Sequence, residues 1–254
     1  FVIGAGVATN FDTYIITHFW EFTPEKWRWV IGSLFISALL PLYFAPRPDF
    51  VENDTLGRSD AEPFVAVEVE AVRTAAGAYE IAQYARYQVS GPGALSWLDR
   101  LVAGRLPGVG RIRLAPMLGD AGRLMGDLTV TRLADDRFWL TGSYYLQEWH
   151  QRWFHRQAPG PAVTIENITD GWMGFSVSGP ASRAILARLA SDDVSNEGFG
   201  FLTVRTMEVG TARAVVGRIS LTGELGYEIV VPAERHRSLL RQLREAGAES
   251  GLRL

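Results

Sequence analysis

Phe175-Ser176-Val177-Ser178-Gly179-Pro180 repeats the pattern of Tyr87-Gln88-Val89-Ser90-Gly91-Pro92. In each stretch three strand-forming residues run into Ser-Gly-Pro. Gly-Pro stops the strand, and an apolar-periodic segment follows, over residues 93–102 in the earlier copy and 181–189 in the later one. Proline suits the first turn of a helix, because its missing N–H would have had no helical partner there. One such unit is only a good helix start. Its recurrence predicts a duplicated strand–SGP–helix unit, and so two related lobes.

Outward from the second copy lies Ser220–Val231, SLTGELGYEIVV. A Gly- and Thr-rich turn followed by alternating Tyr227, Ile229 and Val231 reads as a tight turn feeding a half-buried strand. Glu224 and Glu228 flank Leu225-Gly226-Tyr227, where they either grip a flat ligand that offers N–H donors or lie solvated on a hairpin. Between the two SGP units, Gly122–Thr131 (GRLMGDLTVT) places Asp127 at the opening of an apolar strand. A carboxylate there costs strand stability unless something compensates it, so it caps a turn, pairs with an arginine such as Arg132, or serves a site. Further strands are expected over 128–133, 137–141, 206–209, 212–220 and 228–231. Helices are expected over 65–76, 146–156 and 234–246. The pattern is α+β.

The chain has 254 residues, enough for one large domain or two small ones, with 47% hydrophobic and 21% charged residues. A formal net charge of −3 lacks the basic footprint that nucleic acid requires. Cysteine is absent, which excludes disulfides, thiolate catalysis, iron–sulfur clusters and cysteine zinc sites, and suits a reducing, cytoplasmic setting. Of the four histidines, His150 and His155 are nearest, but five apart they miss the spacing for two ligands on one helix face, so no metal site is expected.

Residues 1–48 differ in kind. Thr23-Pro24-Glu25 is a helix start, and residues 27–44 are apolar apart from Arg28, long enough to cross a bilayer. The expectation is a hydrophobic helical hairpin and candidate membrane segment, faintly similar to a hairpin of sugar–cation symporters; it is either a tether or the mark of two joined genes. Gly4-Ala5-Gly6 lacks the third glycine and the crossover helix of a dinucleotide site. Residues 49–63 read as a polar linker, and the soluble pattern begins at 64.

GRLMGDLTVTRLADDRFWLTG, DDVSNEGFGF and SLTGELGYEIVVP, in that order and with both SGP units, resemble the folate-binding aminomethyltransferase fold of the glycine-cleavage T-protein. They are more similar still to the folate domain at the C-terminal end of dimethylglycine and sarcosine dehydrogenases. The resemblance spans residues 64–254. It implies a tetrahydrofolate-binding domain that accepts a one-carbon unit from an amine-derived iminium or methylene amine. The alternatives are a T-protein-type aminomethyltransferase and a non-catalytic regulatory relative. On this likeness Asp127 is the catalytic carboxylate, near the reacting nitrogen of the pterin. Glu224 or Glu228 pairs with the pterin's amino group and ring N–H, and Tyr227 and Tyr84 join them at the cofactor. FAD would belong to a partner oxidoreductase module. The sequence departs from the T-protein pattern at Glu80–Tyr84, at Leu114, where a tyrosine is usual, and at Gly119, where an asparagine is usual. The family's arginine-bearing segment, which holds the folate tail, is not reached before Leu254.

Overall fold

A computed structural model describes residues 61–254. The helical hairpin and most of the linker read from the sequence lie outside the described residues. The chain divides at Pro63/Phe64, and the unit Phe64–Leu254 carries the fold described below.

Two antiparallel-rich sheets stack face to face, each backed by helices on its outer side. The first lobe runs β1 (Ala76–Glu80), β2 (Tyr84–Ser90), α2 (Ala94–Leu101), β3 (Arg111–Leu118), β4 (Leu124–Ala134), β5 (Arg137–Ser143) and α3 (Gln147–Arg156), after a leading helix α1 (Glu62–Thr74). The second runs β6 (Thr164–Asn167), β7 (Trp172–Ser178), α4 (Ser182–Leu189), β8 (Val204–Val209), β9 (Ala212–Gly217), β10 (Gly226–Pro232) and α5 (His236–Gly247), then a short β11 (Leu252–Arg253). Sheet 1 has the order β3-β4-β5-β2-β6, and sheet 2 the order β8-β9-β10-β7-β1-β11.

These orders expose the duplication. Strands β3, β4, β5 and β2 of sheet 1 match β8, β9, β10 and β7 of sheet 2, position for position. The first strand of each lobe is exchanged: β1 pairs antiparallel with β7, and β6 with β2. The SGP junctions match at the level of single hydrogen bonds. Gly91 N–H donates to Asp136 O in the β4–β5 turn, and Gly179 N–H to Leu225 O in the β9–β10 loop. Gly93 N–H donates to Ala162 O and Ala181 N–H to Ala75 O. Each of those carbonyls crowds the glycine of its own junction. A Cβ on Gly91 would meet Ala162 O at 2.5 Å, and one on Gly179 would meet Ala75 O at 2.6 Å. With φ of 109° and 122°, both positions lie in the region that glycine alone enters cheaply. The helices begin two residues beyond each proline, with Gly93 and Ala181 as N-caps, so glycine geometry rather than proline at the first turn sets the junction.

Three apolar clusters hold the layers together. Ala85, Tyr87, Val89, Leu128, Val130, Phe138 and Leu140 pack sheet 1 against α2 and α3, through Trp97 and Phe154. Tyr227, Ile229, Val231, Ala214 and Val216 pack sheet 2 against α4 and α5. Ile81, Ile112, Trp139, Val204, Val215 and Val230 join the sheets. Both faces of each sheet are thus covered over much of their area, which the simple alternation of the strands did not announce.

Element boundaries move in a consistent way. The helix expected over 65–76 is Glu62–Thr74, and β1 takes over at Ala76, where pairing with Ser178 and its neighbours outweighs helix propensity. The strand expected over 212–220 stops at Gly217. Strands β1, β3, β6 and β11 were not expected. Among the described residues no helix is long and apolar enough to cross a membrane.

Candidate functional site

The inner faces of the two sheets enclose a narrow cleft. It is lined by Arg86 of β2, Thr129 and Thr131 of β4, Trp139 and Thr141 of β5, and Val215, Gly217, Glu228 and Val230 of β9 and β10. Strand periodicity puts these side chains there. On β10, Tyr227, Ile229 and Val231 turn outward to the helices, which leaves Glu228 and Val230 facing sheet 1. On β4, Leu128 and Val130 turn outward, so Asp127, Thr129 and Thr131 share the inner face. The enclosed space is about 30 Å³, room for a water or two.

Of the five residues singled out from the sequence, three stand on the inner faces of the sheets and two do not. Glu228 lines the cleft, half-buried, and its carboxylate makes no hydrogen bond or ion pair among the described residues. Burial pushes its carboxyl above the ordinary range, while the Arg86 guanidinium pulls it back. Asp127 lies two residues along β4 from Thr129, about 7 Å toward the rim, and is exposed. Arg132 is not its partner, since that guanidinium donates to Ala134 O at 3.3 Å and Asp135 O at 2.9 Å. Beside Asp127 stand Pro116, its register partner on β3, and the exposed Leu114. Tyr84 starts β2 on the inner face, and its hydroxyl is raised by burial, by Tyr79 and by Glu228.

Tyr227 is not at the cleft. It is buried at 0% exposure on the reverse face of β10, accepts a hydrogen bond from Arg183 Nε at 3.1 Å, and stacks near Phe199. Alternation along the strand forbids Tyr227 and Glu228 from facing the same way. Glu224, in the β9–β10 loop, is held by Arg73 of α1 at 2.5 Å. Arg73 and Thr222 line a separate groove of about 460 Å³ between α1, β1 and β11.

Arg86 was missed. It is 2% exposed, and it donates to Ile81 O at 2.8 Å, Trp172 O at 3.2 Å and Tyr84 O at 3.3 Å. Burial lowers its pKa to about 10, opposed by Glu228 and Tyr84. The available signal was the alternation of Tyr84-Ala85-Arg86-Tyr87, which looks like a solvated outer face until a second sheet covers it. His150 is also fully buried, beneath sheet 1, with Nδ1 3.2 Å from the Tyr87 hydroxyl. Among the described residues no three His, Asp or Glu side chains converge as a metal site would require.

The chemistry this arrangement offers is that of two unlike carboxylates on facing sheets. Glu228 has open acceptor oxygens in a sheltered slot beside a buried cation, and suits parallel N–H donors. Asp127, at the open rim, suits a group that gains positive charge or gives up a proton.

Comparison with known proteins agrees with this architecture. The model of the GCVT N-terminal domain matches residues 32–254, beginning inside the apolar run of the head. Mitochondrial dimethylglycine dehydrogenase of Mus musculus is 31% identical over 214 residues, 83% of this chain and 24% of that protein. Sarcosine oxidase subunit alpha of Rhizobium meliloti (strain 1021) is 32% identical over 194 residues, 73% of this chain and 20% of that one. The crystal structure of glycine cleavage system aminomethyltransferase T from Bartonella henselae superposes with a TM-score of 0.64 at 25% identity, covering 74% of this chain and 50% of that one. The chain therefore spans a quarter or less of the two curated relatives.

Proposed function

The chain belongs to the GCVT N-terminal domain family, and on that footing we propose that it is a tetrahydrofolate-binding domain through which a one-carbon unit passes from an amine-derived iminium or methylene amine to the folate. The observation that carries this reading is Glu228, a sheltered carboxylate with no hydrogen-bond partner among the described residues, facing the cleft between the sheets. Two oxygens left open in such a place match the amino group and ring N–H of a pterin, and the pair would be charge-assisted and short. Tetrahydrofolate would supply the amine nitrogens that take up the one-carbon unit. Glu228 is the better candidate of the two glutamates for holding the ring, because Glu224 is already engaged by Arg73. The cleft is smaller than a bicyclic ring, so binding requires side chains within it to shift.

Asp127 has the other role. As the amine-borne carbon is transferred, positive charge develops near nitrogen. A fixed carboxylate at the rim lowers the energy of that charge and accepts or orients the proton released. The half-buried Pro116 opposite it and the exposed Leu114, opposite Thr129, offer apolar support for the ligand. Oxidation of the amine belongs to an FAD-dependent module, as the dehydrogenase and oxidase names of the relatives suggest.

Titration of the protein with tetrahydrofolate in an isothermal calorimeter tests the reading. Saturable binding that weakens in Glu228→Gln is expected. Wild-type protein that binds no reduced folate at millimolar concentration would leave the reading without support.

A further inference from the structure

We propose that Arg86 is a positioning residue for Glu228: from between the sheets it keeps the carboxylate charged while leaving both of its oxygens open to a ligand. The inference rests on the reading of Glu228 as the ring-binding group, and it assigns the control of that group to a second residue.

The geometry of Arg86 is unusual for an arginine. At 2% exposure it is among the largest fully buried side chains, and arginine seldom lies so deep without a paired carboxylate. Three backbone carbonyls hold its guanidinium, one from the β1–β2 connection, one from β2 and one at the head of β7. They fix its direction without neutralising its charge. Among the described residues no carboxylate lies within 4.0 Å of it, yet Glu228 lines the same cleft.

This offset distinguishes the arrangement from a salt bridge. A bidentate Arg–carboxylate contact would occupy the oxygens that a ligand needs. A carboxylate with no cation nearby would protonate on burial and become partly a donor. Arg86, set back and pinned by carbonyls, avoids both. The titratable groups facing Glu228 are Arg86 and Tyr84 of β2, with Tyr79 of β1 next to Tyr84. Its register partners on β7 and β9 are Ser176 and Gly217, which carry no charge. Burial drives the Glu228 carboxyl up and Arg86 drives it down, so loss of Arg86 leaves the upward push unopposed.

A merely structural role, tying the two sheets, would be lost in any substitution that breaks the carbonyl contacts. The role proposed depends on charge. The test follows the Glu228 side-chain carboxyl by carbon-13 NMR against pH in folate-free protein, in wild type, Arg86→Lys and Arg86→Gln. Arg86→Gln should move the Glu228 midpoint up by about one pH unit, a tenfold change in proton affinity, and Arg86→Lys should move it little. If Arg86→Gln does not fold, the unsubstituted protein still decides. The Arg86 Nε–H resonance should shift with the same midpoint as Glu228, and its failure to move would overturn the proposal. An unchanged Glu228 midpoint in folded Arg86→Gln would overturn it equally. Because these measurements need no folate, they stand apart from the binding reading. If wild type binds a reduced folate, the pH below which affinity falls tenfold should rise in Arg86→Gln and stay in place in Arg86→Lys.

Discussion

Asp127 and Glu228 are both carboxylates on strands of facing sheets, but their surroundings differ, and on the proposed reading so do their roles. Asp127 is exposed at the rim, so Asp127→Asn keeps shape and removes charge where charge would count only during transfer. Transfer should fall by ~2 kcal/mol or more of transition-state stabilisation, roughly thirtyfold, with folate affinity nearly unchanged. Single-turnover transfer and equilibrium binding, measured side by side, check this; equal losses in both would make Asp127 another binding group. Glu228→Gln turns one acceptor into a donor facing donors and should weaken binding by about 1–3 kcal/mol. The sign of the pH effect follows from the direction of the Glu228 shift. A carboxyl raised by burial is ionised only above its raised pKa, so affinity should be full above that value and fall as pH drops through it. That acid limb should lie above the ordinary carboxylate range and vanish in Glu228→Gln. A limb that persists unchanged in the variant would assign it to another group.

At the scale of elements, the two SGP junctions are the devices that turn each lobe from strand to helix. Gly91 and Gly179 have the same φ region and each is crowded by a backbone carbonyl, Ala162 O and Ala75 O, so alanine at either should cost ~2 kcal/mol or more. Urea denaturation of Gly91→Ala and Gly179→Ala checks this, and a cost at one site alone would break the equivalence of the junctions. The sequence made the repeat visible because Ser-Gly-Pro is rare punctuation and its conformational reason is local. Strands such as β1 (Ala-Gly-Ala-Tyr-Glu) and β6 (Thr-Ile-Glu-Asn) were not visible, because they are short and gain their pairing from the opposite lobe. Local propensity cannot report a partner that arrives from the other end of the chain.

For the molecule as a whole, the exchange of β1 and β6 locks the lobes together, since neither sheet is complete without a strand from the other lobe. The described unit should therefore unfold in one transition, with tryptophan fluorescence and far-ultraviolet circular dichroism giving coincident curves in urea. Separate transitions would show that the lobes fold independently. Trp139, 5% exposed and packed on Trp172 at the sheet–sheet interface, should cost about 3–5 kcal/mol as alanine, again with one transition. The sequence by itself determined the α+β class, the duplication, the strand that carries Glu228 and the strand that carries Asp127, though not its start, since β4 begins three residues earlier at Leu124. Each of these is written in short-range periodicity and turn chemistry. Only the tertiary structure decided which side chains face the cleft. Outward-facing and inward-facing residues of a doubly covered strand alternate alike, so Tyr227 and Glu228 could not be told apart until the second sheet was in place. The same holds for Arg86. Its carbonyl partners come from three places in the chain, and only folding sets it in the same cleft as Glu228, out of water.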